Sequence, residues 1–217
     1  MDETGDAFGL FTGYYEASLS GSRTPSRQFS TPLHARPDDL VMVQLGGFRE
    51  DLRGRRIAGR VLDGNLRPYE DRAEIVAGAL DDSVPAIAWV DDPIAAFFLQ
   101  IQGSGRMLLD DGSEMRVGYA GQNGHPYVPI GRVLINEGEL SRETVSLQTI
   151  RAWLKANPDQ ADRVMNTNPS YVFFREIYGP GTLGGDGLPL TAGRSVAIDG
   201  SLLPFGAPMF LEATDPL

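Results

Sequence analysis

Glycine and proline punctuate this chain so evenly that regular elements have little room between them. There are 26 glycines and 15 prolines, spread along 217 residues. Glycine admits left-handed or closely packed backbone, and proline stops helices and inner strands. The expectation is a mainly β chain of many turns and short strands, with short helices, an α+β class. Its length allows one large or two small domains with real cores. A hydrophobic share of 41% is enough to fill them. The formal charge of −10 argues against nucleic acid, which needs a basic footprint. The absence of cysteine excludes disulfides and cysteine-rich metal sites. With His34 and His125 the only histidines, a multi-histidine metal site is not expected. No metal and no cofactor are therefore called for. No apolar run approaches the ~20 residues of a membrane span. The acidic start, Met1-Asp2-Glu3, is not a signal peptide. Strand-like Met209-Phe210-Leu211 runs almost directly into the last residue, which reads as a cut through a larger protein.

The stretch Phe97-Phe98-Leu99-Gln100-Ile101-Gln102-Gly103-Ser104-Gly105 is the most distinctive. Asp92-Pro93 caps a helix before it, and Ile94, Phe97 and Phe98 share one apolar helical face. The helix is expected to stop before the glutamines. Gln100 and Gln102 then lie in a strand and aim their amides one way. Two donors and an acceptor per amide suit sugar hydroxyls and acetamido groups. Gly103, Ser104 and Gly105 would let backbone approach a ligand. A second polar, glycine-rich stretch runs from Gly118 through Tyr119, Gln122, Asn123 and His125 to Tyr127. The two are expected as facing walls of a cleft, with Tyr119 and Tyr127 offering ring faces. The plainer reading is two ordinary turns.

Elsewhere the pattern is more conventional. Phe8 to Tyr15 is a strand candidate that delivers Tyr14, Tyr15 and Glu16 to its end. One tyrosine would be core and the other would stack on a sugar. Glu16 is a general acid if desolvated, and otherwise a surface carboxylate. Ser18 to Pro37 reads as an extended loop. Leu40 to Leu45 and Ile57 to Leu62 read as strands. Five arginines between Arg49 and Arg60 read as a solvated hairpin. Asp71 and Glu74 fit a capping box. Arg106 to Tyr119 reads as a hairpin whose turn holds Asp110 and Asp111 for local hydrogen bonds, not for metal. Helices are expected after Pro126, where Ile130, Val133 and Leu134 share a face, from Ser146, and from Asn157-Pro158. Asn168 and Ser170 lie in a polar loop that leads to aromatic Tyr171-Val172-Phe173-Phe174. Two short strands with a Pro-x-Gly turn are expected across Leu188 to Leu211, with Asp199 ending the first.

These stretches carry a resemblance. Phe11-Thr12-Gly13-Tyr14-Tyr15-Glu16, Arg72-Ala73-Glu74-Ile75, Gln100 to Gly105, Gly118 to Tyr127, Ile130 to Ile135 and Asn168 to Phe174 occur in family order. On them the chain resembles the membrane-bound lytic murein transglycosylase A family. Ala17 departs from the proline expected in many members. The resemblance implies a small β-barrel-like insert domain at 20–174, attached to part of a double-psi β-barrel at 1–19 and 175–217. The second part would open the three-aspartate domain, with Asp199 the first aspartate and a supporting carboxylate. A glycan strand would lie in the groove between the domains. The residues expected to meet it are Tyr14, Tyr15, Glu16, Gln100, Gln102, Gly103, Ser104, Gly105, Tyr119, Gln122, Asn123, Tyr127, Asn168 and Ser170.

The resemblance also implies a chemistry. Such enzymes cut between N-acetylmuramic acid and N-acetylglucosamine of peptidoglycan without water. One aspartic acid protonates the leaving oxygen, then takes the proton of the C6 hydroxyl as a 1,6-anhydro ring closes. That aspartate belongs to a motif of the type Asp-Thr-Gly-Gly-Ala-Ile-x-Gly, which these 217 residues do not contain. The chain is thus expected to bind glycan, to lack the acid and to be inactive alone. A non-catalytic murein-binding module is the alternative, and a hydrolase using Glu16 or Asp199 a third reading. Resemblance places the protein in the periplasm or on the periplasmic face of a Gram-negative outer membrane. The full-length protein would then be lipid-anchored, with peptidoglycan its partner.

Overall fold

The computed structural model describes residues 16–80, 84–179, 188–191, 193–196, 198 and 203–210. Two compact units divide between residues 177 and 178. Among its described residues the first holds nine strands: β1 (Ala17–Ser22), β2 (Thr31–His34), β3 (Val41–Gln44), β4 (Arg56–Leu62), β5 (Asn65–Arg67), β6 (Ala86–Val90), β7 (Ser104–Leu109), β8 (Glu114–Gln122) and β9 (Val172–Ile177). Five α-helices accompany them there: α1 (Arg72–Val76), α2 (Pro93–Gln102), α3 (Ile130–Asn136), α4 (Leu147–Ala156) and α5 (Pro158–Asn166). This is the strand-rich α+β class that the spacing of glycine and proline predicts.

Six strands form one mixed sheet in the order β2-β6-β1-β7-β8-β9. β1 runs parallel to β7, with Ala17 opposite Gly105, and the other ladders are antiparallel. A parallel bridge from Ala35 to Phe174 brings the two edges of the sheet together. Alternate residues point inward, as strand geometry requires. Leu19, Leu33, Val90, Met107, Leu109, Met115, Val117 and Phe174 make one core. The expected loop from Ser18 to Pro37 is corrected here: it contains β1 and β2. Its serines hid the alternation, because the partners of Leu19 and Leu33 lie far away in the chain. β1 also runs across position 19, the expected domain boundary.

Helix α2 is the centre of the unit. The Asp92 carboxylate accepts from the N–H groups of Ile94 and Ala95, and Pro93 sits in the first turn. Every residue from Ile94 to Gln100 is buried. Ala95, Ala96 and Leu99 face the sheet core. Ile94, Phe97 and Phe98 pack on Ile130, Leu134, Trp153, Leu154 and Val164 from α3, α4 and α5. A helix that is apolar all round belongs inside. Leu99 alone, fully buried, stabilises by about 1.5–3 kcal/mol. The helix runs through both glutamines and stops at Gly103, whose φ of 80° only glycine adopts easily. The expected two-glutamine strand does not exist. Two residues apart on a helix are nearly opposite, so Gln100 is buried and Gln102 exposed.

Two further capping signals come out as read. Asp71 and Glu74 form a reciprocal capping box on α1. Ser146 forms another on α4, with Thr149 as partner. Asn157 departs from expectation: its amide donates back to the Trp153 carbonyl and does not cap α5. The meander β3-β4-β5 forms a separate three-stranded sheet. Its second turn places Asp63 and Gly64 at φ of 51° and 74°, the left-handed pair of a tight hairpin.

In the second unit, turns describe the backbone. The Arg194 N–H donates to the Thr191 carbonyl, and Gly206 has φ of 81° beside Pro204. The Pro-x-Gly turn is therefore present, while the two expected strands do not form among the described residues.

Candidate functional site

At one end of the large sheet the two glycine-rich stretches lie side by side. Ser104 is opposite Gly118 in the β7–β8 ladder, and β8 continues to Gln122. They are neighbours in one sheet and not facing walls of a cleft. Their glycines serve packing. A Cβ on Gly105 would sit 2.7 Å from the Ala17 carbonyl oxygen, and one on Gly118 would meet Ile177 at 2.2 Å. Gly103 ends α2 within reach of Tyr119. The exposed polar surface here comes from Gln102, with half-buried Ser104, Tyr119 and Gln122 beside it. The Arg56 guanidinium stands 5.7 Å from the Tyr119 ring. Glu16 is paired with Arg116 across the sheet. Tyr127 is 54% exposed. Tyr14, Tyr15 and Asp199 lie outside the described residues.

Asn123, Asn168 and Ser170 take a different place from the one expected. The Asn123 side chain is fully buried and its amide is spent inside the protein. Its Nδ2 donates to the carbonyls of Glu70 and Pro169 at 2.8 and 2.9 Å. Its Oδ1 accepts from the Tyr171 N–H at 2.9 Å. The Asn168 Oδ1 accepts from Val128 at 3.0 Å and Ser170 at 3.3 Å. These side chains pin three loops together by pairing with backbone polar groups that are buried there. Arg72 completes the knot, donating to the carbonyls of Asn168 at 3.0 Å and Ser170 at 2.6 Å.

Arg72 also borders a cavity of about 290 Å³ between β2, α1, α2, α5 and Tyr171. Gln100 reaches it from α2, His34 and Thr31 from β2, and Asp162 and Asn166 from α5. Phe97, Pro93, Ile75, Val76 and Met165 supply its apolar wall. The guanidinium lies 4.6 Å from the Phe97 ring centre and 5.4 Å from that of Tyr171. No carboxylate pairs with it among the described residues. Burial lowers its pKa to about 10 and pushes the Tyr171 hydroxyl up to about 12. The Tyr171 hydroxyl is 2.9 Å from His34 Nδ1. Burial also holds His34 below its ordinary value, which keeps the ring neutral at pH 7. The Gln100 amide lies against the same hydroxyl, yet its Oε1 is buried without a partner among the described residues. Such an arrangement can bind a small polar molecule through donors at Arg72 and His34 and an acceptor at Gln100.

Of the expected contacts among the described residues, only Gln100 lines this cavity. Arg72, His34 and Tyr171 were not singled out. One signal did exist: Arg72 is the first residue of α1, where a positive charge opposes the helix dipole. An arginine there has to be held by something else. Among the described residues no group of three or more His, Asp or Glu gathers to hold a metal. Among the described residues no helix is long and apolar enough to cross a membrane.

Comparison with known proteins places this geometry. The family model described as the MltA specific insert domain matches residues 10–175. The membrane-bound lytic murein transglycosylase A of Vibrio cholerae is 39% identical over 94% of this chain and 49% of its own length. The chain spans about half the length of the curated relatives it matches. The crystal structure of MltA from Neisseria gonorrhoeae is 34% identical with a TM-score of 0.76, covering 87% of this chain and 54% of that one. The Escherichia coli MltA structure with bound chitohexaose is 31% identical with a TM-score of 0.69, covering 89% of this chain and 50% of that one.

Proposed function

The chain belongs to the family of the MltA-specific insert domain, and on that footing we propose that it is the glycan-binding part of a lytic murein transglycosylase. The observation that carries this is the likeness, over most of the chain, to a transglycosylase that holds chitohexaose. The reaction of the whole protein is cleavage between N-acetylmuramic acid and N-acetylglucosamine, closing a 1,6-anhydro ring without water. A single carboxyl that first gives and then takes a proton serves both steps. No Asp-Thr-Gly-Gly motif occurs in these residues, so the acid is not among them.

The glycan wall is the sheet end that carries Gln102, Gly103, Ser104, Tyr119 and Gln122, extended by Tyr127 and by Tyr14 and Tyr15. Asn123, Asn168 and Ser170 support it from below. Residues 20–174 are the insert, and 1–19 and 175–217 contribute to a double-psi β-barrel, with β1 as the crossing between the two. The protein works on peptidoglycan in the periplasm or at the inner face of a Gram-negative outer membrane, where the whole protein is lipid-anchored.

Calorimetric titration with chitohexaose and product analysis on purified murein test the proposal together. Glycan binding without release of anhydro-muropeptides is expected. A protein that binds no chitohexaose overturns the glycan-binding assignment. Clear turnover by a pure preparation would place an acid inside this chain, with Glu16 the first candidate.

A further inference from the structure

The cavity beside α2 holds two groups that the glycan wall does not use. Arg72 is 4% exposed and meets only carbonyls and aromatic rings. A buried cation without a counter-charge is costly and marks a place for an anion. Gln100 is 6% exposed, with an unpartnered Oε1 in the same cavity. A buried acceptor left unmade is also costly and calls for an N–H or O–H donor. Here the two line one partly open cavity. With Nδ1 engaged by Tyr171, His34 has Nε2 as its remaining ring nitrogen, a donor when Nδ1 is the acceptor.

We propose that this cavity binds the carboxylate end of an amino acid or short peptide, with the carboxylate at Arg72 and the adjoining N–H donating to Gln100 Oε1. The chemistry decides among small ligands. A plain anion such as acetate satisfies Arg72 and leaves Gln100 unmet. A neutral amide satisfies Gln100 and leaves the charge uncompensated. A carboxylate with an N–H one carbon away satisfies both. The apolar wall of Phe97, Ile75 and Met165 accepts a small side chain, and a volume near 290 Å³ is at the small end of ligand sites. Asp162, exposed on α5, stands ready for the ammonium of a free amino acid. Two sources share this chemistry, a free α-amino acid and the end of a murein stem peptide. The second source rests on the proposed function.

The test is titration calorimetry of the intact chain with alanine, the LL and DD alanine dipeptides, the dipeptide amides and acetate. At least one carboxylate-bearing amino acid or dipeptide is expected to bind at millimolar concentration or better, and its amide at least tenfold more weakly. Preference for alanine identifies a free amino acid, and preference for the DD dipeptide a stem end. Gln100→Leu keeps the bulk of the side chain and removes the acceptor, and is expected to weaken the best ligand about tenfold. Arg72→Lys keeps the charge but not the fork, and serves as a second variant if it folds by circular dichroism. The proposal is overturned if no carboxylate ligand binds, if acid and amide bind equally, or if Gln100→Leu binds as the parent does. Chitohexaose titration of the unsubstituted chain separates the two readings. Lost glycan binding with intact dipeptide binding removes the proposed function and leaves this site, and the reverse removes only this site.

Discussion

Replacing Asn123 by alanine should destabilise this protein more than any change on the proposed glycan wall. The side chain makes three internal hydrogen bonds, all between 2.8 and 2.9 Å. Its removal does not cost all three equally. The Pro169 carbonyl keeps the Arg72 N–H at 3.0 Å. The Glu70 carbonyl and the Tyr171 N–H lose the partners that Asn123 provides. Each buried group left unmade costs about 1–3 kcal/mol. Water entering the space that the amide leaves would recover part of that. The expected loss is about 3 kcal/mol, which lowers a urea midpoint by roughly 1–2 M at the slopes of domains of this kind. Urea denaturation followed by tryptophan fluorescence measures it, with Asn123→Asp as a second variant that keeps one acceptor and loses the donors. A loss below about 1 kcal/mol would refute the reasoning. A parent-like midpoint with lost chitohexaose binding would further show that Asn123 touches glycan and does not pin loops.

Three further outcomes are expected. Gln102→Ala should weaken chitohexaose binding about tenfold or more by calorimetry, while Asp111→Ala, whose carboxylate bonds only Ser113 in the β7–β8 turn, should bind as the parent does. Gly124→Ala combines a φ of 91° with a Cβ 2.1 Å from the Ala58 carbonyl oxygen, so thermal melts should show it destabilised by about 2 kcal/mol or more, well beyond Gly138→Ala, which meets nothing. Burial holds the folded pKa of His34 below 6.5, so the unfolded chain takes up this proton first as pH falls. The stability involved is complete above pH 6.5 and is lost as pH drops toward the folded value. His34→Gln should therefore show a shallower fall in stability than the parent below pH 6.5, and identical slopes would dismiss the effect.

Local chemistry was legible in the sequence wherever a few adjacent residues decide the outcome. Asp71 with Glu74, Ser146 at the head of α4 and Asp92-Pro93 before α2 all act through bonds within three or four residues. The stretches from Phe11 to Phe174 were enough to resemble the right family, because their order survives in the sequence. What tertiary structure decided was partnership at a distance. β1 and β2 became strands because β6 and β7, more than fifty residues later, offer them ladders. Helix α2 ran on through Gln100 and Gln102 because its burial on two sides, by the sheet core and by the α3–α5 cluster, outweighs the weak pull of a glutamine toward either state. That one extra turn sent the two amides apart, one outward to the exposed surface and one inward to the cavity that Arg72 borders. Spacing along the chain cannot reveal this, since two residues apart means the same face in a strand and opposite faces in a helix.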